Sequence, residues 1–414
     1  MRFAPLLPLC GLLLTLGARA EERLGPGELR YDLLPARGAG PDQPRDLVIG
    51  LHGKDGKKET MGGWLEKLLP PLADTHRVWV QSNTSHWQRD VIPHLTALAR
   101  RLRRELPVRH VIVIGFSAGG FLGTGLVFGE PSTFDAGIIA GATGWGRPQD
   151  EASRARPVFW SIGEQDEVVK NNGGVERLRA SLEEAGYPAE RWQIDVVAGL
   201  AHTLDAASLA RGLEFVRARL AADDALTAED RARLEALQEA VKAKDATAQA
   251  LRDAAGPLLS AGREARRAAA QALLPLLKDP RGERGLAALE LAGRSGEPLL
   301  GPALAKAWGK VKKEEPAALA LLSALGALEA GAGLPGLIDR LGDWDLEGKV
   351  QLTAAAALGE GGNPAAIDPL IAALRAAEKK KRAEYAAALE AALRAITGAG
   401  AEGAAGWQAW RQKR

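Results

Sequence analysis

Cysteine is almost missing from this chain: among 414 residues there is one, Cys10. One thiol cannot close an intramolecular disulfide or build a thiolate metal site. An excess of one charge is missing as well. The formal net charge is +2, and without Arg2 and Arg19 the remaining 52 basic residues face 52 acidic ones. That balance gives no electrostatic case for nucleic acid as a partner. The run Arg100-Arg101-Leu102-Arg103-Arg104 reads instead as a solvated helix face whose buried stripe is Leu95, Leu98 and Leu102. There is no His-Glu-x-x-His, no His-x-His pair and no carboxylate cluster at metal-ligand spacing, so no metal or other cofactor is expected.

The apolar run Phe3 to Leu16 is too short to span a bilayer. Arg2 before it and Ala18-Arg19-Ala20 after it make residues 1–20 read as a signal peptide, with small residues at the cleavage site. Bulky Leu9 in front of Cys10 argues against lipid attachment there. The expectation is an exported protein, periplasmic or extracellular, whose mature chain has neither a thiol nor a transmembrane segment.

Two kinds of periodicity divide what remains. From 26 to 220, short β-rich runs alternate with helical stretches. Strands are expected at Asp46 to Leu51, Arg77 to Gln81, His110 to Ile114, Ala136 to Ala140, Pro157 to Ile162 and Trp192 to Val197. Amphipathic helices such as Val91 to Leu106 and Val175 to Ala185 lie between most of them. Alternation of this kind argues a largely parallel sheet with helices on both faces, buried on both sides where strands are continuously apolar. After Ala221 aromatics thin out and period-3.6 patterns take over. Thr227 and Asp230 resemble a capping pair, and 221–260 reads as a helical linker. In 261–414 a repeat appears: Ala324-Leu325-Gly326 recurs as Ala357-Leu358-Gly359, and Leu337-Ile338 as Leu370-Ile371. Recurrence at this length marks an α-solenoid, and the Gly, Asn363-Pro364 turn and Leu-Ile stripe resemble HEAT-like repeats. Trp407 and Trp410 read as a closing element.

Chemistry concentrates in the first region. Gly115-Phe116-Ser117-Ala118-Gly119 is a G-x-S-x-G sequence at the end of the strand His110 to Ile114. Asp166 follows in Gly163-Glu164-Gln165-Asp166 and His202 in Gly199-Leu200-Ala201-His202, each after a further strand. The order Ser, Asp, His behind a strand is what a nucleophile elbow requires: a sharp strand-to-helix turn exposes the serine hydroxyl and tolerates only small neighbours. The helix that follows presents its first N–H groups to the reacting carbonyl, which makes the Ala118 N–H one oxyanion donor. His202 is the expected base, since imidazole titrates near working pH, and Asp166 its orienter, ahead of Glu164 and Glu167.

These residues resemble the α/β-hydrolase superfamily, in its carboxylesterase, dienelactone-hydrolase and polyhydroxyalkanoate-depolymerase-like branch. The resemblance implies an α/β fold with a mostly parallel sheet, followed here by the all-α HEAT-like solenoid. It also implies that Leu51-His52-Gly53-Lys54 is the His-Gly turn whose next backbone N–H, that of Lys54, is the second oxyanion donor, with His52 holding the loop. Only sixteen residues separate Ala140 from Pro157, too few for the large cap domain that lipases insert there. Trp64, Trp87 and Trp145 fall in loops at the C-terminal ends of strands, where substrates bind in such sheets. The implied activity is that of an exported serine esterase acting through an acyl-enzyme on small or polymeric esters, with the helical repeats offering a surface to a protein or polymer partner. A serine peptidase of the same fold, and a non-catalytic exported scaffold, remain open at this level. Depolymerases usually carry cysteines, so polymer specificity does not transfer.

Overall fold

The segment Val111-Ile112-Val113-Ile114 is fully buried at the centre of a sheet, as a continuous β-branched run must be when helices cover both faces. The structure, a computed structural model, describes residues 21–25, 29–40, 43–328, 331–342 and 348–412. The expected signal peptide, with Cys10, lies outside the described residues. Eight strands form one sheet: β1 (Glu21–Leu24), β2 (Arg30–Leu34), β3 (Arg45–Leu51), β4 (His76–Gln81), β5 (Val108–Phe116), β6 (Ala136–Ala140), β7 (Val158–Gly163) and β8 (Trp192–Val197). Their order is β1-β2-β4-β3-β5-β6-β7-β8. β3 and β4 pair in parallel, as do β5, β6, β7 and β8, whereas β1 with β2 and β2 with β4 run antiparallel.

Six strands stand where the periodicity places them. β1 and β2 were not legible, because Glu-Glu-Arg-Leu is short and non-alternating and Arg30–Leu34 is four buried residues behind one exposed. Between the strands lie α1 (Lys58–Leu68), α2 (Ile92–Glu105), α3 (Ala118–Gly129), α4 (Glu151–Arg154), α5 (Glu167–Asn171) and α6 (Gly174–Glu184). α2 buries Leu95, Leu98 and Leu102, the stripe read from the sequence. α3 is apolar on nearly every face and is covered accordingly. Between β6 and β7 the only helix is the four-residue α4, so this connection carries no cap domain.

All-helical chain follows: α7 (Ala206–Asp224), α8 (Ala228–Lys242), α9 (Ala248–Ser260), α10 (Arg263–Leu277), α11 (Gly282–Ser295), α12 (Gly301–Val311), α13 (Glu315–Ala327), α14 (Leu334–Arg340), α15 (Lys349–Gly361), α16 (Ile367–Lys379), α17 (Ala383–Thr397) and α18 (Gly403–Gln412). Thr227 and Asp230 close a reciprocal capping box at the start of α8. The stretch read as a linker is packed: Leu237, Leu251 and Leu258 share a core with Leu273 and Leu291. Farther on, α11 packs on α13, α13 on α15 and α15 on α17. Gly293, Gly326 and Gly359 recur at the centre of these contacts. A Cβ on each would lie 3.2 Å from Ala324 Cα, 2.7 Å from Ala357 Cβ and 2.9 Å from Ala392 Cα respectively.

The chain divides into two compact units. Among the described residues, one comprises those up to Gly38, Arg45–Thr96 and His110–Val216, and the other those between Gly38 and Arg45, Ala97–Arg109 and those from Arg217 on. The arginine run of α2 belongs to the second and is not simply solvated. Within that unit Asn363 Nδ2 donates to the Arg104 carbonyl at 3.2 Å, and Arg263 Nη1 to the carbonyls of Val108 and Arg109 at 3.2 Å each. Burial, more than its charged neighbours, holds the Arg104 guanidinium below its ordinary range.

Candidate active site

The turn from β5 into α3 puts Ser117 at φ 51°, ψ −117°, a conformation that costs a non-glycine residue about 1–3 kcal/mol. The surroundings hold it there. Ser117 N–H donates to the Ala140 carbonyl at 2.9 Å, and the Ser117 carbonyl accepts from Gly120 N at 2.9 Å and Phe121 N at 3.0 Å. Close approach of backbone explains two glycines. A Cβ on Gly115 would sit 2.3 Å from the Gly119 carbonyl oxygen, and one on Gly119 2.3 Å from the Leu51 carbonyl oxygen. The end of β3 is thereby drawn against the first turn of α3.

His202 reaches this turn from the loop after β8. Gly163 lets the loop close, since a Cβ there would fall 2.2 Å from the Leu200 carbonyl oxygen, and Gln165 N donates to that same oxygen at 2.8 Å. His202 Nε2 lies 2.8 Å from Ser117 Oγ, and its Nδ1 lies 2.9 and 3.0 Å from the two carboxylate oxygens of Asp166. A carboxylate only accepts, so Nδ1 carries the proton and Nε2 offers its lone pair to the serine hydroxyl. Asp166 is 1% exposed and caps α5, accepting from Val169 N at 3.1 Å. The rival carboxylates point elsewhere: Glu164 accepts from Gly199 N, and Glu167 pairs with Lys170.

On the other side of Ser117 runs the His52-Gly53-Lys54 turn. A Cβ on Gly53 would be 3.3 Å from Ser117 Cβ, which puts this backbone beside the hydroxyl-bearing carbon. His52 is 2% exposed and holds the loop at both nitrogens. Nδ1 donates to the Gly53 carbonyl at 2.7 Å, and Nε2 accepts from Ser82 N at 3.0 Å. Burial holds its imidazole below its ordinary 6.5, which favours the neutral form. Lys54 itself is exposed, and Ala118 is the first residue of α3.

The three tryptophans separate. Trp64 is 46% exposed and meets the Phe116 ring edge-on at 6.3 Å, while Phe116 lies over the His202 imidazole at 5.0 Å. Trp145 is half-buried against Phe121 at 6.4 Å, with the Arg89 guanidinium 5.7 Å from its ring centre. Trp87 has no face for a substrate: it is 1% exposed, and its indole N–H donates to the His52 carbonyl at 2.7 Å. The expectation for Trp87 is corrected on that ground, since an indole in a strand-end loop is as readily packed inward as outward. Phe116 and Phe121 had not been singled out. The signal was present in Phe116, the variable residue inside the G-x-S-x-G.

Among the described residues no group of His, Cys, Asp or Glu is arranged to hold a metal, and no helix is long and apolar enough to cross a membrane.

This end of the sheet follows a known plan, with the serine after the fifth strand, the acid after the seventh and the histidine after the eighth. The fold is that of an α/β-hydrolase. Solved structures similar to the first half of the chain include TT1662 from Thermus thermophilus, at 19% identity, covering 49% of this chain and 98% of that one, with a TM-score of 0.37. A Bacillus cereus carboxylesterase matches at 13% identity over 47% and 95% of the two chains, TM-score 0.34. Est1E from Butyrivibrio proteoclasticus matches at 14% over 50% and 100%, TM-score 0.38. No family model and no curated protein matches the chain.

Proposed function

We propose that this protein is an exported serine hydrolase of carboxylic esters. One observation carries the reading: the continuous hydrogen-bonded line from Ser117 Oγ through both His202 nitrogens to a buried Asp166. In it Ser117 Oγ attacks the ester carbonyl carbon while its proton passes to His202 Nε2. Asp166 stabilises the imidazolium that forms, and the backbone N–H groups of Lys54 and Ala118 receive the oxyanion. His202 returns the proton to the departing alcohol, leaving an acyl group on Ser117. Water, deprotonated by the same imidazole, then releases the acid. Removing one oxyanion donor from such a site costs about 2.7–4 kcal/mol in transition-state energy. Trp64 and Trp145 are the proposed substrate contacts. Residues 1–20 are the proposed signal peptide, and the helical half the proposed HEAT-like surface for a protein or polymer partner.

The test is hydrolysis of a p-nitrophenyl acyl ester by residues 21–414 beside the Ser117→Ala variant. Turnover by the first and none above background by the second is the expected result. Equal rates overturn the serine mechanism, and turnover confined to peptide substrates makes the protein a peptidase.

A further inference from the structure

The loop after β6 begins at the candidate active site and ends among arginines. At its start Gly141 backs onto the imidazole, where a Cβ would lie 3.0 Å from His202 Cε1. It next runs along α3: Trp145 N–H donates to Thr124 Oγ1 at 2.8 Å and to the Phe121 carbonyl at 3.2 Å. Thr124 stands seven residues after Ser117, about 10 Å along the helix at 1.5 Å per residue. Two residues past Trp145 comes Arg147, whose guanidinium is fastened by neutral acceptors: Ser181 Oγ at 2.6 Å, the Gly146 carbonyl at 2.7 Å and the Thr143 carbonyl at 3.4 Å. Arg177 stands one turn before Ser181 on α6 and so shares its face. Its stem is laid over the preceding turn, for a Cβ on Gly173 would be 2.4 Å from Arg177 Cδ. Burial first and then the Arg177 charge hold the Arg147 guanidinium below its ordinary range. No ion pair among the described residues includes either arginine. Two like charges are thus kept together, one of them half-buried, at the far end of a loop that starts against the general base. A bound anion would relieve such an arrangement, and a planar guanidinium is suited to a carboxylate.

We infer that Arg147 and Arg177 form a carboxylate subsite, and that the preferred substrates are extended esters bearing a carboxylate remote from the scissile carbonyl. This rests on the serine-ester reading. The uncapped connection between β6 and β7 leaves room for such an extended molecule, and Trp145 lies between the two ends as a surface for its middle.

The experiment compares ester pairs that differ only in the charge. For an acyl-borne anion these are p-nitrophenyl hydrogen suberate and p-nitrophenyl octanoate; for an alcohol-borne one, the acetyl ester of 8-hydroxyoctanoate and octyl acetate. Wild-type protein should favour the charged member of one pair in kcat/KM. Arg177→Gln should reduce that charged-to-neutral ratio by about tenfold or more, the size of one charge-assisted hydrogen bond, and Arg177→Lys should restore part of it. The pair that responds identifies whether the acyl or the alcohol part carries the anion. A ratio unchanged by Arg177→Gln in both pairs overturns the subsite while leaving the esterase reading intact. If neither pair is hydrolysed the esterase reading fails, and binding decides the subsite alone. Ser117→Ala protein should then bind suberic acid monoanilide at least about tenfold more tightly than octananilide, a preference abolished by adding Arg177→Gln. Equal binding of the two anilides overturns it.

Discussion

Ser117 is held in a conformation that a serine does not adopt by choice, and its neighbours supply the restraint. Strain at one residue, fixed by backbone bonds to Ala140, Gly120 and Phe121, is what leaves the hydroxyl aimed at His202. Ser117→Ala should lower ester kcat by on the order of 10⁴- to 10⁶-fold with little change in thermal midpoint, measured by p-nitrophenolate release and calorimetry. Asp166→Asn should cost about 10⁴-fold, because an amide can donate to Nδ1 and so favour the wrong tautomer. His52 gives a test through stability. Its imidazole is depressed in the folded state, so the unfolded chain takes up a proton that the native site refuses. Stability is therefore unaffected above the ordinary pKa of 6.5 and falls as pH drops below it toward the folded value. Urea midpoints measured from pH 8 to pH 5 should show this fall, with a shallower slope in His52→Gln. The residues of the hydrogen-bonded line were legible in the sequence because each ends a strand and their order is diagnostic. Burial of Trp87 was not, since nothing in Ser85-His86-Trp87-Gln88 says on which side of the backbone the indole falls.

At the scale of elements, glycines set how closely neighbours approach. Gly119→Ala should push α3 away from β3, with a cost of about 1–3 kcal/mol in urea unfolding and a disproportionate loss of the proposed ester hydrolysis. In the helical unit Gly326→Val should be similarly destabilising, because Ala357 occupies the space its side chain needs. Gly309 is the control. It sits in α12 with nothing within 4 Å of a Cβ position, so Gly309→Ala should gain about 0.5–1 kcal/mol. Of the elements themselves, six strands and the helices α2 and α6 follow from apolar runs and amphipathic stripes. β1 and β2 lack such a pattern: β2 is a strand because β4 presents an edge to it, and β1 because β2 in turn does. The stretch 221–260 read as a linker for want of a repeat. Its leucines nevertheless find partners in α10 and α11, which lie farther along the chain than any local pattern extends.

The whole molecule is divided in space differently from the way it is divided in sequence. Residues 97–109 lie deep within the α/β stretch of the chain yet group with the helical unit, where Asn363 and Arg263 bond their carbonyls. A fragment ending at residue 222 lacks both partners, so it should melt several degrees below the full chain by circular dichroism, even where small-ester turnover survives. Equal midpoints would remove any stabilising part for those bonds. The sequence by itself determined the strands of the parallel sheet, the elbow at Gly115–Gly119, the order of its acid and base, and the helical character of the second half. Each of these is a local matter of periodicity, spacing or residue type. Only the tertiary structure decided that Trp87 is buried, that Arg104 is half-buried rather than solvated, and that Arg147 and Arg177 lie near each other without an ion-pair partner. Those are contacts between segments tens to hundreds of residues apart, and a side chain's surroundings are fixed by what the rest of the chain folds against it.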